Sequence, residues 1–152
     1  MNAIVINWVG TLLLLGILAR LSYVDWKTFR LPNLLTKPLI LLGLIYNLML
    51  SLDSYTYLLG AILGYAIFWT VETGYRLIRK REGLGRGDAK LLAAGGAWCG
   101  AMALPFIILI GSSAGLVYIL TRPKAERNTM KIPFGPFLAA GIAITFLALK
   151  LL

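Results

Sequence analysis

The chain has 152 residues, 59% of them hydrophobic and 14% charged, where an ordinary soluble domain has about 45–50% and about 25%. That balance excludes a soluble globular fold and implies one membrane-embedded domain spanning residues 1–152, with the lipid bilayer as its surroundings. The net charge of +9 would suit nucleic acid, but the Lys and Arg residues fall in the short gaps between apolar runs; the positive-inside rule accounts for them there, and no nucleic-acid partner is expected.

A transmembrane helix needs about 20 apolar residues. The first candidate runs from about Ala3 to Val24. No Lys or Arg precedes Arg20, so the basic start of a cleaved signal peptide is missing and the stretch reads as a retained span. A polar segment follows, containing Asp25, Lys27, Arg30, Pro32, Asn33 and Lys37. The second span runs from about Pro38 to Leu52 and stops at Asp53-Ser54. The third runs from about Tyr57 to Ile78. Within it Glu72 and Arg76 have the spacing of an i,i+4 ion pair. A basic, Gly-rich loop, RKREGLGRGDAK, comes next.

Residues 91–121 carry no charge. They are too many for one upright span and few for two, and Pro105 divides them near the middle. A single crossing would put the following basic loop, RPKAERNTMK, on the opposite side from the other two. Two short spans, about 89–104 and 105–121, put all three together. The sixth span starts near Pro133, a favourable residue at a helix start. The expected fold is therefore all-α and polytopic, with about six transmembrane helices and the N-terminus outside. Every Lys and Arg except Lys150 then lies on or next to the cytoplasmic side. Gly60 and Gly64, and Gly111 and Gly115, have the spacing for close helix packing. Trp8, Trp26, Trp69 and Trp98 read as core or interface aromatics, and Cys99 as a small buried thiol.

The chemistry-bearing residues are few. There are six acidic residues and no histidine, and a Cys/His metal site cannot be built from one cysteine. The topology carries Asp25, at the end of span one, and Asp88, at the start of span four, to the same face. Two carboxylates brought together are a minimal acid/base pair for hydrolysing a peptide bond. Taken singly, Asp25 reads as a surface charge and Asp88 as a helix N-cap. Their motif context points to chemistry instead.

Gly85-Arg86-Gly87-Asp88 matches the GxGD signature of intramembrane aspartyl proteases. The longer block EGLGRGDAKLLAAGGAW closely resembles the second catalytic block of type IV prepilin peptidases. Asp25 followed by Arg30-Leu31-Pro32-Asn33 resembles the first block, and Lys131 to Leu138, KIPFGPFL, the closing one. The resemblance implies an aspartyl endopeptidase of the bacterial inner membrane. Such an enzyme removes the short basic leader of prepilins or type II secretion pseudopilins at the cytoplasmic face, cutting after a glycine. By motif position Asp25 and Asp88 are the catalytic pair, supported by Gly85, Gly87, Lys90, Pro133, Gly135 and Pro136. Lys90 first and Arg86 second are expected to meet the acidic residue that such pilins carry just inside the mature helix.

Larger bifunctional relatives add a four-cysteine zinc domain and methylate the new pilin terminus. Nothing resembling that domain precedes span one, so peptidase activity without methyl transfer, and without metal or cofactor, is expected. A preflagellin peptidase is the neighbouring alternative, but the KLLAAGGAW and PFGPF stretches favour the pilin enzyme. A non-catalytic component of a secretion machine would be indicated by loss of either aspartate, and both are present. A proton-coupled transporter would place its polar residues near the bilayer midplane, whereas these lie at span ends. Within the pair, the helix dipoles favour a charge on Asp88 over Asp25, and Arg86 and Lys90 flank Asp88. The expected resting proton therefore sits on Asp25, with Asp88 as general base.

Overall fold

A computed structural model describes residues 3–50, 54–79, 85–123 and 132–151, and among these residues every regular element is helical. The elements are α1 (Ala3–Thr28), α2 (Asn33–Leu50), α3 (Ser54–Arg79), α4 (Arg86–Cys99), a 3-10 turn at Ala101–Ala103, α5 (Leu104–Leu120) and α6 (Gly135–Leu151). In lipid the backbone must satisfy its own hydrogen bonds, which apolar segments of this length do as helices. Helices α1, α2 and α3 and the stretch Ala101–Leu120 are long and apolar enough to cross a membrane, and α6 is a shorter apolar helix. The protein is a multi-pass, all-α membrane protein. The expected turn at Asp53, Glu82 and Lys131 lie outside the described residues.

Three helix ends differ from the sequence reading. Helix α1 continues to Thr28, so Asp25 lies inside its last turns. Phe29 then takes a positive φ of 52°, the left-handed conformation that usually falls to glycine at a helix C-terminus. Helix α2 begins at Asn33, with Pro38 inside it. The break between the fourth and fifth helices falls at Gly100, with φ +84°, a conformation that suits glycine. Pro105 instead occupies the first turn of α5, where its missing N–H costs nothing.

Successive helices alternate in direction. The last turns of α1 meet the start of α6, through Asp25 and Gly135, and the end of α5, where Trp26 and Tyr118 pack edge to face at 5.6 Å. The first half of α1 meets the end of α6, where the Lys150 amine donates to Asn7 O (3.0 Å) and Thr11 Oγ1 (2.6 Å). Residues 91–121 thus run out along α4 and back along α5, and Arg122 returns to the end that holds Asp88.

Helix α4 is the centre of the assembly. At 14 residues it is about 21 Å long, short of the roughly 30 Å hydrocarbon core. Residues Leu91–Gly100 are all buried. Large apolar side chains such as Leu12, Leu41, Leu48, Ile62 and Leu109 are exposed on the surrounding helices, as a lipid-facing surface requires. Side-chain size sets how closely α3 and α4 approach. A Cβ on Gly64 would lie 2.6 Å from Leu92 O, and Gly60 and Gly96 press backbone on backbone. On the other side, a Cβ on Gly111 would lie 3.2 Å from Leu138 Cα, and one on Gly141 2.6 Å from Ile107 O, joining α5 to α6.

Polar bonds fix α4 to α2. Asn47 Nδ2 donates to Gly43 O (3.0 Å) and Ala97 O (2.9 Å). Trp98 Nε1 donates to Leu39 O (2.9 Å), and its ring stacks on Tyr46 at 5.0 Å. Trp98 and Cys99 are buried, while Trp8, Trp26 and Trp69 are exposed.

Gly96→Ala should destabilise the bundle by about 1–3 kcal/mol or more, because its methyl group meets the Gly60 carbonyl, which is backbone and cannot swing aside. Gly16→Ala, with nothing within 4 Å, should be neutral or stabilising. Thermal unfolding in detergent compares the two. Equal midpoints would show that the glycine seam does not set the α3–α4 approach.

Candidate active site

The last turns of α1 hold Asp25 in the interior, 5% exposed. The start of α6 is laid against it. Pro133 is buried, and the Phe134 ring packs at 6.1 Å from Phe68. Gly135 follows, and its N–H donates to Asp25 Oδ2 (3.0 Å). A Cβ at Gly135 would lie 2.6 Å from that oxygen, so the approach requires glycine. Pro136, in the first turn of α6, is half-buried.

Helix α4 brings the second carboxylate. Its N-cap is Gly85, which offers no side-chain cap. The Asp88 N–H donates to Gly85 O (3.0 Å), and the Gly85 N–H serves the Asp88 carboxyl in return. The Asp88 carboxyl thus supplies the N3 half of a capping box, while Gly85 answers through its backbone carbonyl instead of a side chain. Asp88 is therefore the third helical residue and not the N-cap. Gly87 serves contact between motifs: a Cβ there would lie 2.7 Å from Leu31 Cβ, so the RLPN segment rests directly on the GxGD turn.

Asp25 and Asp88 line one open cavity of about 510 Å³, shared with Arg30, Asn33, Arg86 and Lys90. Asp88 stands ahead of Lys90 and of the uncharged stretch that begins at Leu91. Burial pushes its carboxyl up, the neighbouring Asp25 adds to this, and the Gly85 N–H opposes it; the result is about 7.

The flanking cations do not compensate Asp88 as the sequence reading supposed. Residues two apart on a helix point to different sides. The Lys90 amine crosses to Asn33 Oδ1. Arg86 Nε lies 4.0 Å from Glu72 Oε1. That ion pair also replaces the expected pairing of Glu72 with Arg76, which lines the same small cavity as Glu72 and Arg86. That removes the flanking-cation ground for placing the resting proton on Asp25; the helix-dipole ground stays, opposed by the burial of Asp88. Asn33 and Glu72 were not singled out as site residues. A buried acid in an apolar span is a signal that could have flagged Glu72.

Residues 12–120 match the type IV leader peptidase family. Among curated proteins, the chain is similar to the prepilin leader peptidase/N-methyltransferase of Escherichia coli (strain K12), 46% identical over 82% of the chain and 56% of the relative. It is also similar to the proteins of the same name from Dickeya chrysanthemi (42%; 89% of the chain, 49% of the relative) and Neisseria gonorrhoeae (40%; 93% and 50%). The chain spans about half the length of these relatives. No solved structure matches it.

Proposed function

The chain belongs to the type IV leader peptidase family, and from that membership we propose that it is an aspartyl endopeptidase that removes the basic leader of a prepilin or pseudopilin, cutting after a glycine. The observation that carries the reading is the shared cavity. Asp25 and Asp88, from helices well separated in the chain, open into it together with the two glycines of the GxGD turn.

In the proposed reaction Asp25, oriented by the Gly135 N–H, takes a proton from water as the water attacks the scissile carbonyl. Asp88, raised to about 7, is assigned the proton that the pair shares. It supports the developing oxyanion and then protonates the leaving amine. Two adjacent carboxylates resist ionising together, so one shared proton is their natural resting state. Helical carbonyls are already hydrogen-bonded, so the scissile peptide has to be extended, and a glycine before the cut eases the unwinding.

The orientation belongs to the same proposal. The charges of Arg30, Arg86, Lys90 and Arg122 collect at the dyad end, and Lys150 alone among the described basic residues lies at the other. The positive-inside rule then sets the site at the cytoplasmic face of a bacterial inner membrane, with the N-terminus outside. Cleavage of a prepilin by the purified chain in liposomes tests the function. An inserted, folded chain that leaves every such substrate intact would overturn it.

Substrate choice gives a separate prediction. The leader and the cavity mouth are both basic, so bulk attraction does not dock them, and raising salt should not weaken binding through leader charge. Lys90 lines the cavity with the dyad and is the cation offered to an acidic residue just inside the mature pilin helix. Neutralising Lys90 and that substrate acid, separately and together, should give a coupling of about 0.5–3 kcal/mol in kcat/KM. Purely additive losses would rule the contact out.

A further inference from the structure

The face of α3 that meets α4 repeats every four residues through Gly60, Gly64, Phe68 and Glu72. Gly60 lies on Gly96, Gly64 on Leu92 and Ala93, and Glu72 on Arg86. The glycine seam thus runs antiparallel toward the dyad and delivers an acidic side chain to the first turn of α4. Glu72 is 7% exposed, and an acid so placed in an apolar span is costly without a partner. Arg86 stands between two cavities. One holds the dyad. The other, of about 160 Å³, is lined by Glu72, Trp69, Thr73 and Arg76.

We propose that Glu72 is a positioning residue that holds the Arg86 guanidinium on the α3 side of the α4 N-terminus and so keeps this cation off the Asp88 carboxyl. A long, flexible cation two residues from Asp88 has only a short swing to reach it. Lys90, two residues on the other side, is held by Asn33. Each motif cation thus has a partner on another helix. Among the described residues, the other polar or charged groups at Asp88 are Asp25 from α1, Arg30 before α2, and Asn33 at the start of α2. Helix α6 contributes the uncharged Gly135 amide, which is spent on Asp25. With Glu72 absent, Arg86 is the cation freed to move. The consequence for cleavage rests on the reading of Asp25 and Asp88 as a catalytic pair; the placement of charge does not.

The test reads the Asp88 carboxyl directly. The full chain, labelled with carbon-13 aspartate and carrying Asp25→Asn and Asp53→Asn, retains Asp88 as its single aspartate and is titrated in liposomes by infrared spectroscopy. Adding Glu72→Gln should lower the Asp88 midpoint by about 1 pH unit or more, as an approaching arginine does. Adding Arg86→Ala to that variant should return the midpoint to its starting value. An unchanged midpoint in Glu72→Gln, or a shift that persists without Arg86, would overturn the proposal.

Arg86→Ala with Glu72 intact gives a second reading that does not depend on Glu72→Gln folding. It should leave the midpoint in place, whereas a rise of about 1 unit would show that Arg86 already faces Asp88 and would overturn the proposal. In the otherwise native enzyme the alkaline limb of kcat should follow the same pattern, moving to lower pH in Glu72→Gln and back in the double variant. Absence of prepilin cleavage by the unsubstituted chain would count against the peptidase reading alone, since the carboxyl titration still decides the charge placement.

Discussion

Asp25→Asn and Asp88→Asn should each slow leader cleavage by on the order of 10³-fold or more, and the double variant should be no slower than the worse single one. General acid and base groups contribute roughly 10²–10⁴-fold each. Members of a unit that share one proton fail together, so their losses do not multiply. Asparagine keeps the shape of aspartate, and the Gly135 N–H that donates to Asp25 Oδ2 (3.0 Å) can still reach the amide oxygen. Insertion and thermal midpoint should therefore stay near those of the parent chain. Initial rates of the three purified variants decide the matter. A double variant slower by the product of the single losses would mean two independent carboxylates. The pH profile carries the same information. With Asp88 pushed to about 7, cleavage should decline as pH rises past that region and the proton shared by the pair is lost. The limb reports the pair and not one residue.

Gly135→Ala is the second large effect. The added methyl carbon would lie 2.6 Å from Asp25 Oδ2 and 3.0 Å from its Cγ. Neither neighbour yields easily, because Asp25 is buried in the last turns of α1 and Gly135 opens α6. Relief has to come from turning the carboxylate or lifting the start of α6, and either change loses the N–H bond. A displacement of about 1 Å at a reacting group costs roughly 10²-fold. The expected loss is thus about 10²-fold in kcat with little change in KM, since Lys90 and Arg86, the cations proposed to meet substrate, are untouched. Unaltered kcat in a folded Gly135→Ala variant would show that this amide does not orient Asp25.

The helices were legible because lipid leaves so few alternatives. Apolar runs of span length had to be helices, and the parity argument for residues 91–121 expected two segments where the structure has two helices, α4 and α5, running in opposite directions. The ends were less legible. Pro105 drew the expected break to itself, although a proline is welcome in the first turn of a helix and Gly100, with its positive φ, is the residue that turns the chain. The polar run after Val24 read as an ending, yet a helix near the membrane surface can carry such residues outward, and α1 does so to Thr28.

At the site, Asp25, Asp88, Gly87 and Gly135 were named by motif, and the structure supplies a physical reason for both glycines. Gly87 admits Leu31, and Gly135 admits the Asp25 carboxylate. The partners of the motif cations were not legible. Arg86 and Lys90 lie two residues either side of Asp88 in sequence but point elsewhere on the helix. Their true neighbours, Glu72 and Asn33, come from α3 and α2, and only the packing of α4 between those helices brings them near.

The most direct test of the central claim, that Asp25 and Asp88 form the peptide-cleaving pair, is mass spectrometry of a prepilin incubated with the purified 152-residue chain in liposomes. The predicted result is one cut, immediately after the leader glycine, that disappears in Asp25→Asn and in Asp88→Asn while both variants remain inserted and folded. Cleavage at that bond by either single variant at a rate near that of the parent chain would contradict the account.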